Sequence, residues 1–310
     1  MSTTANVEAG RNNVLRLADG RMLGYAEYGD PLGTPVIAFH GTPGSRISGG
    51  AAAHKAAARH GVRLVAPDRP GMGLSSFQPH RRVIDWPDDV VELADALDIE
   101  RFGVMGVSGG GPYVAACAFK IPQRVTGAAI VSGLAPMDRD GATDGMNRMN
   151  KLGLTMQRRV PIAGRAMISV MAIAVRRNSE GTFDRMISGM AASDQEIARR
   201  PEMRAMFLED IAEAFLNGAR GPALENGLHT KPWGFRLQDI TIPVHLWQGG
   251  ADLNVPEAHA RSQALAISGS ILHFFPDEGH LLFVDRIDEI LTAITNDRSL
   301  SSPPTGRGAG

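Results

Sequence analysis

Phe102-Gly103-Val104-Met105-Gly106-Val107-Ser108-Gly109-Gly110-Gly111-Pro112 is the stretch that decides how this chain is read. Its first six residues are apolar on both faces of an extended chain, the pattern of a strand buried inside a sheet. Gly111 to Lys120, directly after it, has helical spacing. A buried strand that enters a helix through Gly-x-Ser-x-Gly must turn sharply. Such a turn holds its central residue in strained backbone angles and brings neighbouring backbone close, so a Cβ at Gly106 or Gly110 would clash. The strain lifts the Ser108 hydroxyl clear of the sheet, beside the positive N-terminal end of the next helix. Gly-x-Ser-x-Gly by itself is a weak signal; the strand before it and the helix after it make it specific.

The alternation continues on both sides. Val14 to Leu17 and Arg21 to Tyr28, joined through Ala18-Asp19-Gly20, read as a β-hairpin. Val36 to Phe39 and Val62 to Ala66 are short doubly apolar runs, hence buried strands, while Gly50 to His60 and Trp86 to Leu97 have helical spacing. Gly127 to Val131 is strand again. After a gap come strand Pro243 to Trp247, helix Pro256 to Ala266, strand Ser270 to Phe275 and helix Leu281 to Thr295. Strands and helices in this order specify an α/β fold, a mostly parallel sheet with helices on both faces. Between Pro136 and Ile240 no convincing buried strand occurs, but helical stretches do, such as Ile162 to Arg177 and Met203 to Asn217. The pattern predicts a core over residues 14–136 and 241–296, an inserted helical cap over 137–240, and flexible ends at 1–13 and 297–310. Ten methionines fall between Met137 and Met206. Such side chains suit an adaptable apolar pocket as well as an ordinary cap core.

A serine hydroxyl is a poor nucleophile until a base takes its proton. Parallel strands share their C-terminal side, so the loops that leave them open on one rim. His280, in Pro276-Asp277-Glu278-Gly279-His280 beyond the last strand, opens on the same rim as Ser108. His245 and His273 lie inside strands, where packing accounts for them; His54, His60, His80, His229 and His259 carry no supporting signal. An imidazole base in turn needs a carboxylate to fix its tautomer and stabilise its charged form. Asp252, in the loop after the strand ending at Trp247, meets that need, with Asp138 after the strand Gly127 to Val131 as the rival. The loop His40-Gly41-Thr42-Pro43-Gly44 opens there too, and its glycines let backbone amides approach a ligand. Pro43 has no N–H, which leaves the amides of Thr42 and Gly109 to hold an oxyanion, with His40 and Gly41 in support.

The chain of 310 residues, 43% hydrophobic and 21% charged, has the length of one large domain or a core with a sizeable insertion. A net charge of -1 offers no basic excess to neutralise phosphates, so nucleic acid is not expected as a partner. Cys117 is the only cysteine, which excludes an intrachain disulfide, and it reads as a small buried hydrophobe. The polar, small residues Met1 to Asn13 lack the features of a signal peptide, and the greasiest stretch, Ala166 to Val175, is about half a membrane span. A soluble cytoplasmic protein is the expectation. Arg148, Lys151, Arg158, Arg159, Arg165, Arg176 and Arg177 flank that stretch. They are read as a solvated face around a buried cap helix in preference to a membrane-docking face.

His40-Gly41-Thr42-Pro43-Gly44, Asp68-Arg69-Pro70-Gly71-Met72-Gly73-Leu74-Ser75, Gly106-Val107-Ser108-Gly109-Gly110, the Asp252 loop and Gly279-His280 together resemble the α/β-hydrolase superfamily. The likeness runs from about Val14 to Thr295. It implies an eight-stranded sheet, a helical cap after the sixth strand, acylation of Ser108 followed by attack of water, and no cofactor. It also marks Asp68 to Ser75 as a structural turn without chemistry. Serine at the elbow separates the chain from the dehalogenase and epoxide-hydrolase branches, which use aspartate there. The His-Gly-x-Pro-Gly run is similar to that of proline iminopeptidases, which carry tryptophan where this chain has Gly109. Those enzymes grip a substrate amine with acidic cap residues, for which Glu202, Glu209 and Glu213 are candidates. The expectation is a serine hydrolase for a small or medium apolar ester. The alternatives are an aminopeptidase, a carbon–carbon bond hydrolase and a non-catalytic receptor for a small apolar ligand on the same fold. Oligomeric state is left open.

Overall fold

A computed structural model describes residue 10 and residues 12–138 and 141–296. Eight strands form one sheet: β1 (Asn13–Arg16), β2 (Met22–Gly29), β3 (Thr34–Phe39), β4 (Val62–Pro67), β5 (Phe102–Val107), β6 (Val125–Val131), β7 (His245–Gly249) and β8 (Ile271–Phe275). Their order across the sheet is β1-β2-β4-β3-β5-β6-β7-β8. The β1–β2 and β2–β4 pairs are antiparallel, and every later pair is parallel. The C-terminal ends of β3, β5, β7 and β8 therefore share one rim. The expected eight-stranded, mostly parallel sheet is present.

The core helices are α1 (Gly50–Arg59), α2 (Trp86–Ala96), α3 (Gly111–Lys120), α10 (Ala258–Ala266) and α11 (Phe283–Thr295). They divide between the two faces because each central strand is apolar on both sides. In β3, Ile37 and Phe39 pack with α2 and α3, while Val36 packs with α1 and α11. On the first face Trp86 stands edge-on to both Phe39 and Tyr113, with ring centroids 5.8 and 6.0 Å apart. Such pairs add about 0.5–1.5 kcal/mol each beyond burial.

Between β6 and β7 the described residues form six helices: α4 (Arg148–Arg159), α5 (Pro161–Arg177), α6 (Ser179–Ile187), α7 (Ala192–Arg199), α8 (Pro201–Ala214) and α9 (Arg220–His229). Their boundaries follow from local chemistry. Asn147 caps α4 and Asn178 caps α6 by accepting a backbone N–H three residues on, and Pro161 and Pro201 open α5 and α8 without an N–H to satisfy. The long periodic stretches were visible in sequence; the shorter helices between them depend on these caps.

The flexible ends expected at 1–13 and 297–310 fall largely outside the described residues. Gly10, Asn12 and Asn13 are exceptions, and all three are held. The Gly10 carbonyl accepts the Glu27 N–H at 2.9 Å, Asn12 accepts from Arg46, and Asn13 begins β1.

A Cβ built on Gly106 comes 2.5 Å from the Gly110 carbonyl oxygen, whereas one on Gly153, inside α4, meets nothing within 4 Å. Gly106→Ala is expected to lose about 2 kcal/mol or more in a urea titration, and Gly153→Ala to gain roughly 0.5–1 kcal/mol.

Candidate active site

Ser108 leaves the end of β5 with φ of 55°, the left-handed region that side chains other than glycine rarely enter. A short 3₁₀ turn, Ser108–Gly110, leads straight into α3, where Pro112 lies in the first turn and needs no hydrogen-bond acceptor. A Cβ on Gly110 would lie 2.3 Å from the Phe39 carbonyl oxygen, so the elbow is wedged against β3. The strained turn expected from sequence is present.

His280 follows β8, and its Nδ1 lies 2.8 Å from Asp252 Oδ2. A carboxylate only accepts, so Nδ1 carries the proton and Nε2 is the basic nitrogen. Asp252 follows β7 and is fully buried; its Oδ1 accepts the Asn254 and Val255 N–H groups at 2.8 and 2.9 Å. The rival Asp138 is exposed. The Ser132 hydroxyl donates to the His280 carbonyl at 3.1 Å and fixes the loop. Burial acts to lower the pKa of the ring, but the charges of Asp252 and Asp194 outweigh it and leave His280 above the ordinary 6.5.

Ser108 and His280 line one cavity of about 260 Å³. Among the described residues no hydrogen bond yet joins the Ser108 hydroxyl to the imidazole. Thr42 lines the same cavity and lies against Gly109, where a Cβ would approach the Thr42 hydroxyl to 2.4 Å. Thr42 thus borders the cavity, with Gly109 buried directly behind it.

His40 and Gly41 prepare that loop. The His40 ring is neutral: burial and the Arg69 charge push its pKa well down, its Nδ1 donates to the Gly41 carbonyl at 2.8 Å, and its Nε2 accepts the Arg69 N–H at 3.1 Å. The Arg69 guanidinium donates to the carbonyls of His40 and Gly41 and to the Thr42 hydroxyl, at 2.5, 2.9 and 3.0 Å. The turn at Asp68–Ser75 thus does more than shape the chain; its arginine holds the loop that carries the Thr42 amide.

Several residues here gave no sequence signal. Glu225 of α9 receives Arg69 at 2.6 Å on one oxygen and Arg81 on the other, and Arg81 also donates to the Tyr113 hydroxyl at 3.0 Å. Burial would raise the Glu225 pKa, but the two guanidinium groups hold it well below the usual carboxylate range. His229, one turn on, faces the site of a Gly109 Cβ with its Cε1 at 2.8 Å, and burial pushes its pKa down to about 4. Asp194 of α7 accepts the Leu281 N–H at 2.7 Å, and its other oxygen is buried with no partner among the described residues. Asp210 of α8 accepts from the Ser45 N–H, the Ser45 hydroxyl and the Ser48 hydroxyl at 2.8, 2.6 and 2.7 Å. Each of these is an isolated polar residue in a helix, with no motif around it.

The remaining cavity wall is mostly apolar and is shared: strands and core helices supply residues such as Leu64, Met105 and Phe283, and the helices between β6 and β7 supply Phe183, Met186, Met190, Met203, Met206 and Phe207. Four of the ten methionines noted in the sequence thus face the cavity. Met137 and Met146 instead pack with Leu134 and Val255 in a separate buried cluster.

A parallel sheet with a strained serine elbow and a paired histidine and carboxylate on one rim defines a hydrolase-type α/β architecture. The family model described as alpha/beta hydrolase fold matches residues 34–287, and the chain belongs to that family. It is 25% identical over 278 residues to the uncharacterized hydrolase YcgS of Bacillus subtilis (strain 168), covering 86% of this chain and 91% of that protein. Among solved structures it is similar to a hydrolase from Pseudomonas aeruginosa PA01, with a TM-score of 0.68 at 19% identity over 93% of this chain and 99% of that one. The enol-lactonase from Burkholderia xenovorans LB400 has a TM-score of 0.67 at 19% identity, over 92% of this chain and 98% of that one.

Asp194→Asn keeps an acceptor for the Leu281 N–H but removes the charge beside His280. The His280 ring, followed by NMR titration, is expected to titrate at lower pH in this variant. Asp194→Ala also strands the Leu281 N–H, and a loss of about 1–3 kcal/mol of stability is expected in denaturant unfolding.

Proposed function

We propose that this protein hydrolyses small or medium-sized apolar carboxylic esters through an acyl-enzyme, with Ser108 as nucleophile, His280 as base and Asp252 orienting it. The observation that carries this reading is one shared rim. A strained serine and the 2.8 Å His280–Asp252 pair meet there beside the amides of Thr42 and Gly109.

Ester binding brings the Ser108 hydroxyl within hydrogen-bond distance of His280 Nε2, a contact that often tightens only with substrate present. Ser108 Oγ then attacks the acyl carbon while Nε2 takes its proton, and Asp252 stabilises the resulting imidazolium. The carbonyl oxygen, now an oxyanion, accepts from the Thr42 and Gly109 amides, a pair worth about 3–4 kcal/mol of barrier per donor. Collapse breaks the bond to the alcohol oxygen, which leaves with the proton from His280. Water enters, loses a proton to His280 and attacks the acyl-Ser108 ester; the acid departs and Ser108 regains its proton. Residues 137–240 act as a cap on the core of residues 14–136 and 241–296, and their methionines and phenylalanines receive the apolar part of the substrate.

The aminopeptidase alternative needs a carboxylate available to an ammonium group. Glu202 and Glu209 are exposed, and Glu213 is paired with Arg46 at 2.5 Å. Asp210 does line the cavity, but Ser45 and Ser48 already occupy it, and burial raises its pKa to about 7. Gly109 has no room for the tryptophan of that branch, because Thr42 and His229 press against it. Ester cleavage is the better fit.

A fluorophosphonate probe is expected to label the wild type and not Ser108→Ala, and p-nitrophenyl ester turnover to fall by on the order of 10⁴-fold in that variant. Labelling that persists in the variant would refute the assignment of Ser108. The base must be neutral, so kcat/KM is expected to rise with pH through a midpoint above the ordinary 6.5 of histidine. A rate flat across that region counts against His280 as base.

A further inference from the structure

The sequence pattern predicts a buried α5 with a solvated basic face, but the structure turns the apolar side outward. Only Gly164, Ala172 and Val175 of α5 are buried. Ile162, Val170 and Ile173 are 81%, 65% and 51% exposed, at helical spacing along one face with Ala166 and Arg165. Val160, at the junction with α4, and Met149 and Leu152 of α4 are also at least half exposed. Scattered exposed hydrophobics are ordinary. A stripe of them in a segment whose charges are all of one sign is not.

Residues 148–177 contain seven arginines and lysines and no aspartate or glutamate, in a chain whose net charge is -1. Arg148, Lys151, Arg158, Arg159, Arg165, Arg176 and Arg177 are all exposed. Lys151 meets Asp144 at 3.0 Å, and Arg176 reaches the Phe215 carbonyl at 3.5 Å.

We propose that the α4–α5 surface docks on an anionic lipid bilayer. The Ile162–Val170–Ile173 stripe enters the boundary between headgroups and acyl chains, and the arginines lie at the anionic headgroups. This is the arrangement of an amphipathic helix lying in the membrane plane. α5 has 17 residues, and no described helix is long and apolar enough to cross a membrane, so the helix lies on the surface. A second copy is the less suitable occupant, because a two-fold contact would set this wholly positive segment against itself. The proposal goes beyond the hydrolytic reading and does not depend on it.

The test is flotation with phosphatidylcholine vesicles made with and without phosphatidylglycerol, at low and high salt. The wild type is expected to float only with the anionic vesicles and to lose most of this binding in high salt. Ile162→Ser/Val170→Ser/Ile173→Ser is expected to abolish flotation, with ester turnover in solution and thermal unfolding unchanged. Arg176→Gln/Arg177→Gln is expected to weaken it by on the order of tenfold. No flotation with anionic vesicles overturns the proposal, as does equal flotation with neutral ones. Self-association in sedimentation velocity that the triple variant removes, without vesicle binding, assigns the face to a second copy and also overturns it.

Discussion

Glu225 stands between Arg69 and Arg81, and all three side chains are withdrawn from water. Charges taken out of water are costly, and this arrangement is tolerable only because almost every donor is used. Arg69 extends past the carboxylate to the carbonyls of residues 40 and 41, while Arg81 extends to Tyr113 in the helix behind the elbow. One carboxylate from α9 therefore ties together the loop after β3, the turn after β4 and the helix after β5. Loss of Glu225 would leave two buried cations uncompensated, a change that typically costs about 3–5 kcal/mol.

Around this knot the site is held from two directions. The sheet supplies position, because parallel neighbours deliver the ends of β3, β5, β7 and β8 to one side. The helices between β6 and β7 supply polar restraint through Asp194, Asp210 and Glu225, each reaching a loop of the core. The apolar cavity lies between the two sets of contacts and takes its walls from both.

The sheet and the elbow were legible in the residues because both arise from local rules. Doubly apolar runs such as Phe102–Val107 must be buried on both faces, and the glycines beside Ser108 report close backbone contact that the structure contains. Asp252 and His280 were legible through topology, since a loop leaving a parallel strand can open on only one side. Glu225, Asp194 and His229 were not legible. Their significance comes from where α7 and α9 come to rest, a tertiary outcome that helical spacing does not encode. The burial of α5 was misread for a related reason: a short greasy run looks the same whether a neighbour covers it or not.

Three carboxylates on separate helices between β6 and β7 also set a condition on redesign. Transplanting that segment from a relative, in order to change which molecules fit, would import new walls without the anchors at positions 194, 210 and 225. A graft that ignores them gives a well-shaped chamber over loosened loops. One that keeps them in register leaves the surrounding apolar side chains free to be rewritten.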